Sequence, residues 1–381
     1  MEDIVLVTAD SVRRDRLDAM PFVSALDTRT GVTAAHYTRP SLAGLLSSKL
    51  VSALRSKVVG PSLPELLAEH GYTCLGFAPT PQADRGFGFG AGFEAYETFS
   101  EGTGNPLKNR RSRVREYLGG FPAVRRLYRR LVPMEAVLSS LPDDGTVVDA
   151  AINQFNAAPE PRFLWVHLMG SHRPYGTGAD ALPRVLDRKA GAAGNGGLFG
   201  TDPLTEHETR LIDEAYRNAL GRVDSQIERL LDDLDADPVV AFTSDHGDEL
   251  GEEGYFYHQG FRRRVVDTLV EVPVVFAGIG TDHERFSALD IAPTLLGRVG
   301  IDPPDSWRGN DLADGPSQPL YTIAPWHDKA TIAVRDGDRT LIARDADVSL
   351  ETTDGRAVAG RAAVDDDLER RLRDLGYVDA G

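Results

Sequence analysis

Three short apolar runs of this sequence each lead into residues able to bind a cation or move a proton. "DIVLVTA" (3–9) is followed by Asp10, then Arg13 and Asp15. "FLWVHLM" (163–169) contains His167 and leads to His172 and Tyr175. "PVVAFTS" (238–244) leads to Asp245, His246 and, further on, His258. In α/β sheets, ligands collect at the carboxyl ends of strands, so three such runs would deliver carboxylates and imidazoles to one rim. A carboxylate pair with an imidazole is a hard-to-borderline donor set, suited to Mg, Ca, Mn or Zn. A fourth stretch, "AAHYTRPSLAGLLSS" (34–48), sets a Thr-x-Pro-Ser turn before a small-residue helical run. Thr38 there is either a nucleophile or, like Ser41, a capping and turn residue.

Each residue also has a structural explanation. Asp10 can cap the next helix. Asp245-His246-Gly247 can be an ordinary turn, and both side chains reach one ion only where the chain bends sharply. His167 lies mid-strand, where a histidine is more often a satisfied core residue than a chemical one. His172 sits in a loop, where chemistry is more frequent.

The elements that must position these residues follow from pattern. The three runs, with "YTCLGFA" (72–78) and "VPVVFAG" (272–278), are near-continuously apolar. That suits strands buried on both faces, hence a large, mostly parallel sheet sandwiched by helices: an α/β fold. Helical spacing recurs in 61–71, 210–234 and 288–300. From residue 318 the pattern becomes "PLYTIAP", "ATIAVRD" and "RTLIARD" with Asp-Gly turns, a small antiparallel lobe. An amphipathic helix is predicted over 365–377. We therefore divide the chain at 1–317 and 318–381.

Composition narrows the function classes. The net charge of −16 argues against nucleic-acid binding. Only five of the 42 basic residues are lysine, which fits either a salt-tolerant host or arginine-rich codon usage. One cysteine, Cys74, rules out an intrachain disulfide. The start "MEDIVLVTAD" has no basic leader, and no apolar run approaches the ~20 residues of a membrane span, so cytoplasmic residence is expected. Residues 108–130 hold nine basic residues against one Glu. They form either a solvated helical face or a patch touching an anionic membrane surface, polymer or partner. Residues 176–203 are a Gly- and Ala-rich loop. Oligomeric state is not legible.

Taken in order, these stretches resemble the sulfatase branch of the alkaline phosphatase superfamily. "DIVLVTADSVRRDRL" is similar to that family's opening strand with its metal-binding Asp, and "YTRPSLAGLLSS" to its nucleophile turn. "FLWVHLMGSHRPY" resembles its His-x-Pro-Tyr segment and "AFTSDHGDELGEEG" its second metal-binding strand end. "LDIAPTLLGRVGIDPPDSWRGNDL" and the terminal "LRDLGYVDA" also match, so the resemblance spans nearly the whole chain.

The resemblance implies one divalent ion (Mn, Mg or Ca) held by Asp10, Asp245, His246 and the oxygen of Thr38. It also implies that Thr38 is the nucleophile, and that His172 and His258 contact the ester oxygens or protonate the leaving group. His258 stands where the family often has lysine. Sulfatases proper carry Cys-x-Pro-Ser-Arg, with the cysteine oxidised to formylglycine; here the positions read Thr38-Arg39-Pro40-Ser41-Leu42, so that chemistry is excluded. Ser11 replaces a second Asp. The site looks instead like the threonine-using phosphodiesterases and phosphoglycerol or phosphoethanolamine transferases of the superfamily. The Asp-x-x-x-His pair of the two-metal members is absent, and His327 lacks partners for that role. The implied protein is a metal-dependent hydrolase of phosphate or sulfate esters, acting on an anionic small-molecule, lipid or glycan ester. The alternatives are a transferase or a catalytically silent anion-binding protein.

Overall fold

A computed structural model describes residues 1–99, 141–177, 180–193, 203–327, 329–344 and 347–352. Its large sheet contains β1 (Ile4–Ala9), β2 (Thr28–Val32), β3 (Thr73–Phe77), β4 (Ala95–Glu97), β5 (Arg162–Leu168), β6 (Val239–Ser244), β7 (Glu271–Ala277) and β8 (Arg285–Ser287). The spatial order is β4-β3-β5-β1-β6-β7-β2-β8. The first five of these neighbours run parallel, while β7 runs antiparallel to both β6 and β2. The mostly parallel α/β reading therefore holds. An apolar run carries no signal of strand direction, so the reversal at β7 is visible only in the fold.

Alternation along β1 shows why both faces are apolar. Val5 and Val7 pack with Val147, Ala151 and Phe155 of one helix, Asp144–Ala157, and Tyr216, Leu220 and Val223 of another, Glu206–Asp232. Ile4 and Leu6 point the other way, into a cluster with Leu42 and Leu45 of α1 (Thr38–Ser47) and Leu63 and Leu67 of α2 (Leu63–Glu69). We label the first pair of helices α3 (Asp144–Ala157) and α4 (Glu206–Asp232); α5 (Ile291–Arg298) adds Ile291 and Leu295 to the second cluster. Each such side chain is worth about 1.5–3 kcal/mol when buried. A one-residue slip of β1 would exchange the two faces, so packing fixes where Asp10 emerges.

A second sheet holds β9 (Leu320–Trp326), β10 (Lys329–Asp336), β11 (Arg339–Arg344) and β12 (Asp347–Thr352), antiparallel in the order β12-β11-β10-β9. The β10–β11 turn passes through Gly337 at φ 57°, the left-handed conformation that the Asp-Gly pair favours. β9 also braces the approach to α1: Ile323 N donates to Ala34 O at 2.7 Å and Thr322 Oγ1 to Thr33 O at 2.8 Å. Among the described residues, no helix is long and apolar enough to cross a membrane. The basic stretch 108–130 and the helix predicted over 365–377 lie outside the described residues, as does part of the 176–203 loop.

Candidate active site

β5, β1 and β6 are adjacent, and their carboxyl ends carry the cluster. The ladder continues one residue past the strands: Asp10 N donates to Leu168 O at 2.9 Å and Asp245 N to Ala9 O at 3.2 Å. Asp10 and Asp245 are thereby set side by side, both fully buried. Ser11, just beyond, adopts φ 61°, a left-handed conformation uncommon for a residue with a Cβ. Its N–H donates to Asp245 Oδ1 at 3.0 Å and its hydroxyl to Asp10 Oδ1, so it ties the two carboxylates together.

Thr38 opens α1, and its Oγ1 donates to Asp10 Oδ2 at 3.1 Å and lies 3.3 Å from His246 Nε2. His246 Nε2 is in turn 3.4 Å from Asp245 Oδ2. The four residues expected at an ion thus converge. His246 Nδ1 lies 2.8 Å from Gly247 O; the carbonyl can only accept, which leaves the Nε2 lone pair facing Thr38 and the carboxylates. Gly247 is required sterically, because a Cβ there would lie 2.0 Å from Thr268 O. Ser41 is not a cap: Tyr37 is the N-cap, and Ser41 Oγ donates to Asp245 O at 2.5 Å. That bond locks the helix that Thr38 opens to the Asp245 turn.

His172 and His258 form the outer side. Their rings meet edge to face at 5.3 Å, and His258 lies 4.2 Å from the His246 ring. Asp248, fully buried, accepts from His258 Nδ1 at 2.8 Å and also from the Tyr175 hydroxyl. The loop carrying His172 is gripped by Asp144, whose carboxylate accepts from Met169 N at 2.8 Å and Gly170 N at 2.9 Å. Gly170 has no room for a Cβ, which would meet Asp144 Oδ2 at 2.4 Å. An open cleft of about 1210 Å³, lined among others by Arg173, Arg184, Arg217 and Arg222, touches the cluster through His172. His327 sits in the β9–β10 turn, and no hydrogen bond or ion pair among the described residues joins it to the site.

Two residues escape the strand-end rule. Asp248 is one of several acids in the run that follows Asp245, and no strand-end position marks it. His167, on β5, belongs to the cluster: its Nε2 is 3.9 Å from Asp10 Oδ2, and it groups with Asp10 and Asp245 as a set able to hold a metal ion. Asp10, His172 and His258 form a second such set. The alternation that puts Phe163 and Trp165 on the α1 face of the sheet puts His167 there too, a signal available from sequence.

Electrostatics favour a cation. Burial opposes charge on Asp10, but the imidazoles of His172, His246, His258 and His167 outweigh it and hold the carboxyl well below the usual range. Asp245 moves the other way, pushed well above its ordinary value by burial and then by the charge of Asp10. Burial lowers His172 and brings His167 down to about 4, so both rings are neutral at pH 7. Burial also opposes ionisation of Asp248, yet His258 outweighs it and lowers that carboxyl. Asp245 Oδ2 and His167 Nε2 are buried with no hydrogen-bond partner. Leaving such an atom unmet costs about 1–3 kcal/mol. Unpaired acceptors converging beside a buried carboxylate pair fit a divalent ion.

The family model described as Sulfatase matches residues 2–301. A low-salt glycan biosynthesis sulfotransferase, Agl7, of Haloferax volcanii is 29% identical over 167 residues, 39% of this chain and 37% of that protein. A choline-sulfatase of Rhizobium meliloti is 32% identical over 107 residues, 26% of this chain and 20% of that one. The matched stretches thus span well under half of either relative. The crystal structure of the phosphonate monoester hydrolase of Agrobacterium radiobacter superposes with TM-score 0.68 at 18% identity, covering 98% of this chain and 95% of that one. The chain belongs to the sulfatase family and has the alkaline phosphatase superfamily fold.

Proposed function

We propose that the protein is a metal-dependent hydrolase of phosphoric esters that works through Thr38, with phosphodiesters or related singly charged phosphoryl esters as substrates. The observation that carries this reading is the Thr38 hydroxyl, 3.1 Å from Asp10 Oδ2 and 3.3 Å from His246 Nε2, at the N-terminus of a helix. Asp10, Asp245, His246 and Thr38 would hold one divalent ion. When bound, that ion lowers the hydroxyl pKa and neutralises an ester oxygen.

Thr38 Oγ1, its proton released to solvent, then forms a bond to phosphorus as the bond to the leaving oxygen breaks, giving a threonine-linked phosphoryl ester. His258 delivers a proton to the leaving oxygen. Asp248 accepts its Nδ1–H, leaving Nε2 to carry the transferred proton. His172 donates Nδ1–H to the Arg173 carbonyl and is held neutral by burial, so its Nε2 accepts the proton of an attacking water. The Thr38 Oγ1–phosphorus bond breaks as that water's oxygen bonds to phosphorus, and Thr38 Oγ1 regains its proton from solvent. A single ion sets less positive charge against the ester than a two-ion site does, which favours diesters over phosphate monoesters. Sulfated threonine, lacking the aldehyde-hydrate exit of formylglycine, would turn over poorly.

A second reading has an alcohol take the place of water, making the protein a transferase. The relative named as a glycan biosynthesis sulfotransferase favours it, with an anionic glycan ester as the substrate class. The test is a panel of aryl phosphate mono- and diesters, phosphonates and sulfates, with Mn²⁺, Mg²⁺ or Ca²⁺. Diester cleavage by the wild type, lost in folded Thr38→Ala, is expected. Activity that survives in Thr38→Ala removes Thr38 from the chemistry, and no activity with any ester favours an anion-binding protein.

A further inference from the structure

His167 is fully buried, and the hydrogen bonds around it account for one ring nitrogen and not the other. Nδ1 lies 2.9 Å from Thr8 Oγ1. That hydroxyl also accepts from Trp165 Nε1 at 3.0 Å and faces Val166 O at 3.4 Å. A hydroxyl has one proton and two acceptor sites. Trp165 takes one site and Val166 O receives the proton, so the remaining site accepts Nδ1–H. This tautomer, assigned from the network, leaves a lone pair on Nε2.

The other tautomer is no better satisfied. A proton on Nε2 would point at Asp10 Oδ2 from 3.9 Å, beyond hydrogen-bond reach. Sheet geometry explains what the nitrogen faces. Thr8 is in register with both His167 and Thr243, and Asp10 and Asp245 lie two residues past Thr8 and Thr243 on the same face. The Nε2 atom therefore looks outward at two carboxylates from one layer deeper. His246 is built the same way, its Nδ1 on the Gly247 carbonyl and its Nε2 on the same cluster. An imidazole whose second N–H is held by an oxygen is the usual arrangement of a metal-bound histidine.

We infer that His167 Nε2 is an additional, inner ligand of the divalent ion, and that the site therefore selects Mn²⁺ or Zn²⁺ over Mg²⁺ or Ca²⁺. Two imidazoles beside two carboxylates make a borderline donor set, which the hard oxygen-seeking ions use poorly. This rests on the ion assigned under the proposed function and deepens it.

The test uses the full chain, stripped with chelator and titrated with Mn²⁺, Zn²⁺, Mg²⁺ and Ca²⁺. Wild type is expected to bind Mn²⁺ about 100-fold more tightly than Mg²⁺ or Ca²⁺. His167→Gln keeps an oxygen near the position of Nε2. It should lose about 10- to 100-fold for Mn²⁺, while Mg²⁺ and Ca²⁺ binding change by no more than about 3-fold. Pulsed EPR of the Mn²⁺ protein should show two coordinated imidazole nitrogens in wild type and one in His167→Gln. Equal metal preference and equal nitrogen coupling in the two proteins would overturn the inference. Because wild type alone reports the nitrogen count, a variant that fails to fold does not block the test: one nitrogen in wild type overturns the role of His167, and two support it. Wild type that binds no divalent ion overturns the metal reading as well; binding through one imidazole overturns this inference alone.

Discussion

The inner and outer halves of the cluster use the same residue types on different supports. Asp10, Asp245 and His167 sit on, or one residue beyond, neighbouring parallel strands, with no exposure to solvent beyond 1%. His172 and His258 hang from loops, half-buried, and are aimed by other side chains and carbonyls: Asp248 for His258, the Arg173 carbonyl for His172. Sheet register allows the inner atoms almost no play, which suits a charge-dense ion site whose cost of burial is high unless geometry is good. The outer groups are held by a few side-chain and carbonyl contacts, with Nδ1 of His258 between Asp248 and, at 3.2 Å, Ser11 Oγ, and His172 borders the arginine-lined cleft. In the proposed reaction, binding of the ion and activation of Thr38 fall to the rigid half, and leaving-group protonation and substrate choice to the adjustable one.

The strongest way to break this division is Asp10→Asn. It removes a charge from the inner half, with expected loss of stoichiometric divalent binding and of at least about 10³-fold in kcat/KM, read by metal analysis and kinetics. Metal binding and activity near wild type would dissolve the distinction between halves. Asp248→Asn should act on the outer half alone. The neutral amide holds the His258 Nδ1–H less firmly and aims its Nε2 less well, so kcat should fall about 10- to 100-fold for esters with poor leaving groups. Esters of acidic phenols should be nearly unaffected, and metal affinity should be unchanged. A uniform loss across leaving groups would mean that Asp248 merely supports the fold. The smallest effect is expected for Ser41→Ala, which cuts the tie between α1 and the Asp245 carbonyl. It should cost about 1 kcal/mol of stability in denaturant unfolding, with a few-fold drop in kcat. No change in either would show that β9, bonded to residues 33 and 34, positions Thr38 without help from Ser41.

How far the sequence could be read depended on the same division. Asp10, Asp245 and His246 follow strands that declare themselves by unbroken apolar runs, so the strand-end rule finds them. Thr38 stands out by its turn, and His172 and His258 by lying in loops downstream of the same strands. His167 does not, because a histidine inside a buried strand ordinarily belongs to the core; counting alternate residues from Trp165 would have placed it on the site's face. Asp248 pairs with His258 across a turn that includes Glu253 and Tyr257 at positive φ, a path no spacing rule traces. Among the elements, β4 and β8 are three residues long and too short for a periodic signal. α3, "DGTVVDAAINQFNA", was not among the predicted helices, and its apolar stripe is interrupted by polar residues. The Asp in "LDIAPTLL" proves structural: the Asp290 carboxylate accepts backbone N–H groups from Ser287, Asn310 and Ser317, tying the α5 turn to the segment before β9.

The central claim is that Thr38 takes the phosphoryl group covalently. Acid-quenched single turnover of an aryl phosphodiester by the metal-loaded protein, followed by peptide mass spectrometry, tests it most directly. A phosphoryl adduct on the peptide containing Thr38, forming at least as fast as turnover and absent in Thr38→Ala, is the expected result. Turnover with no adduct, or with the adduct on another residue, would contradict the account.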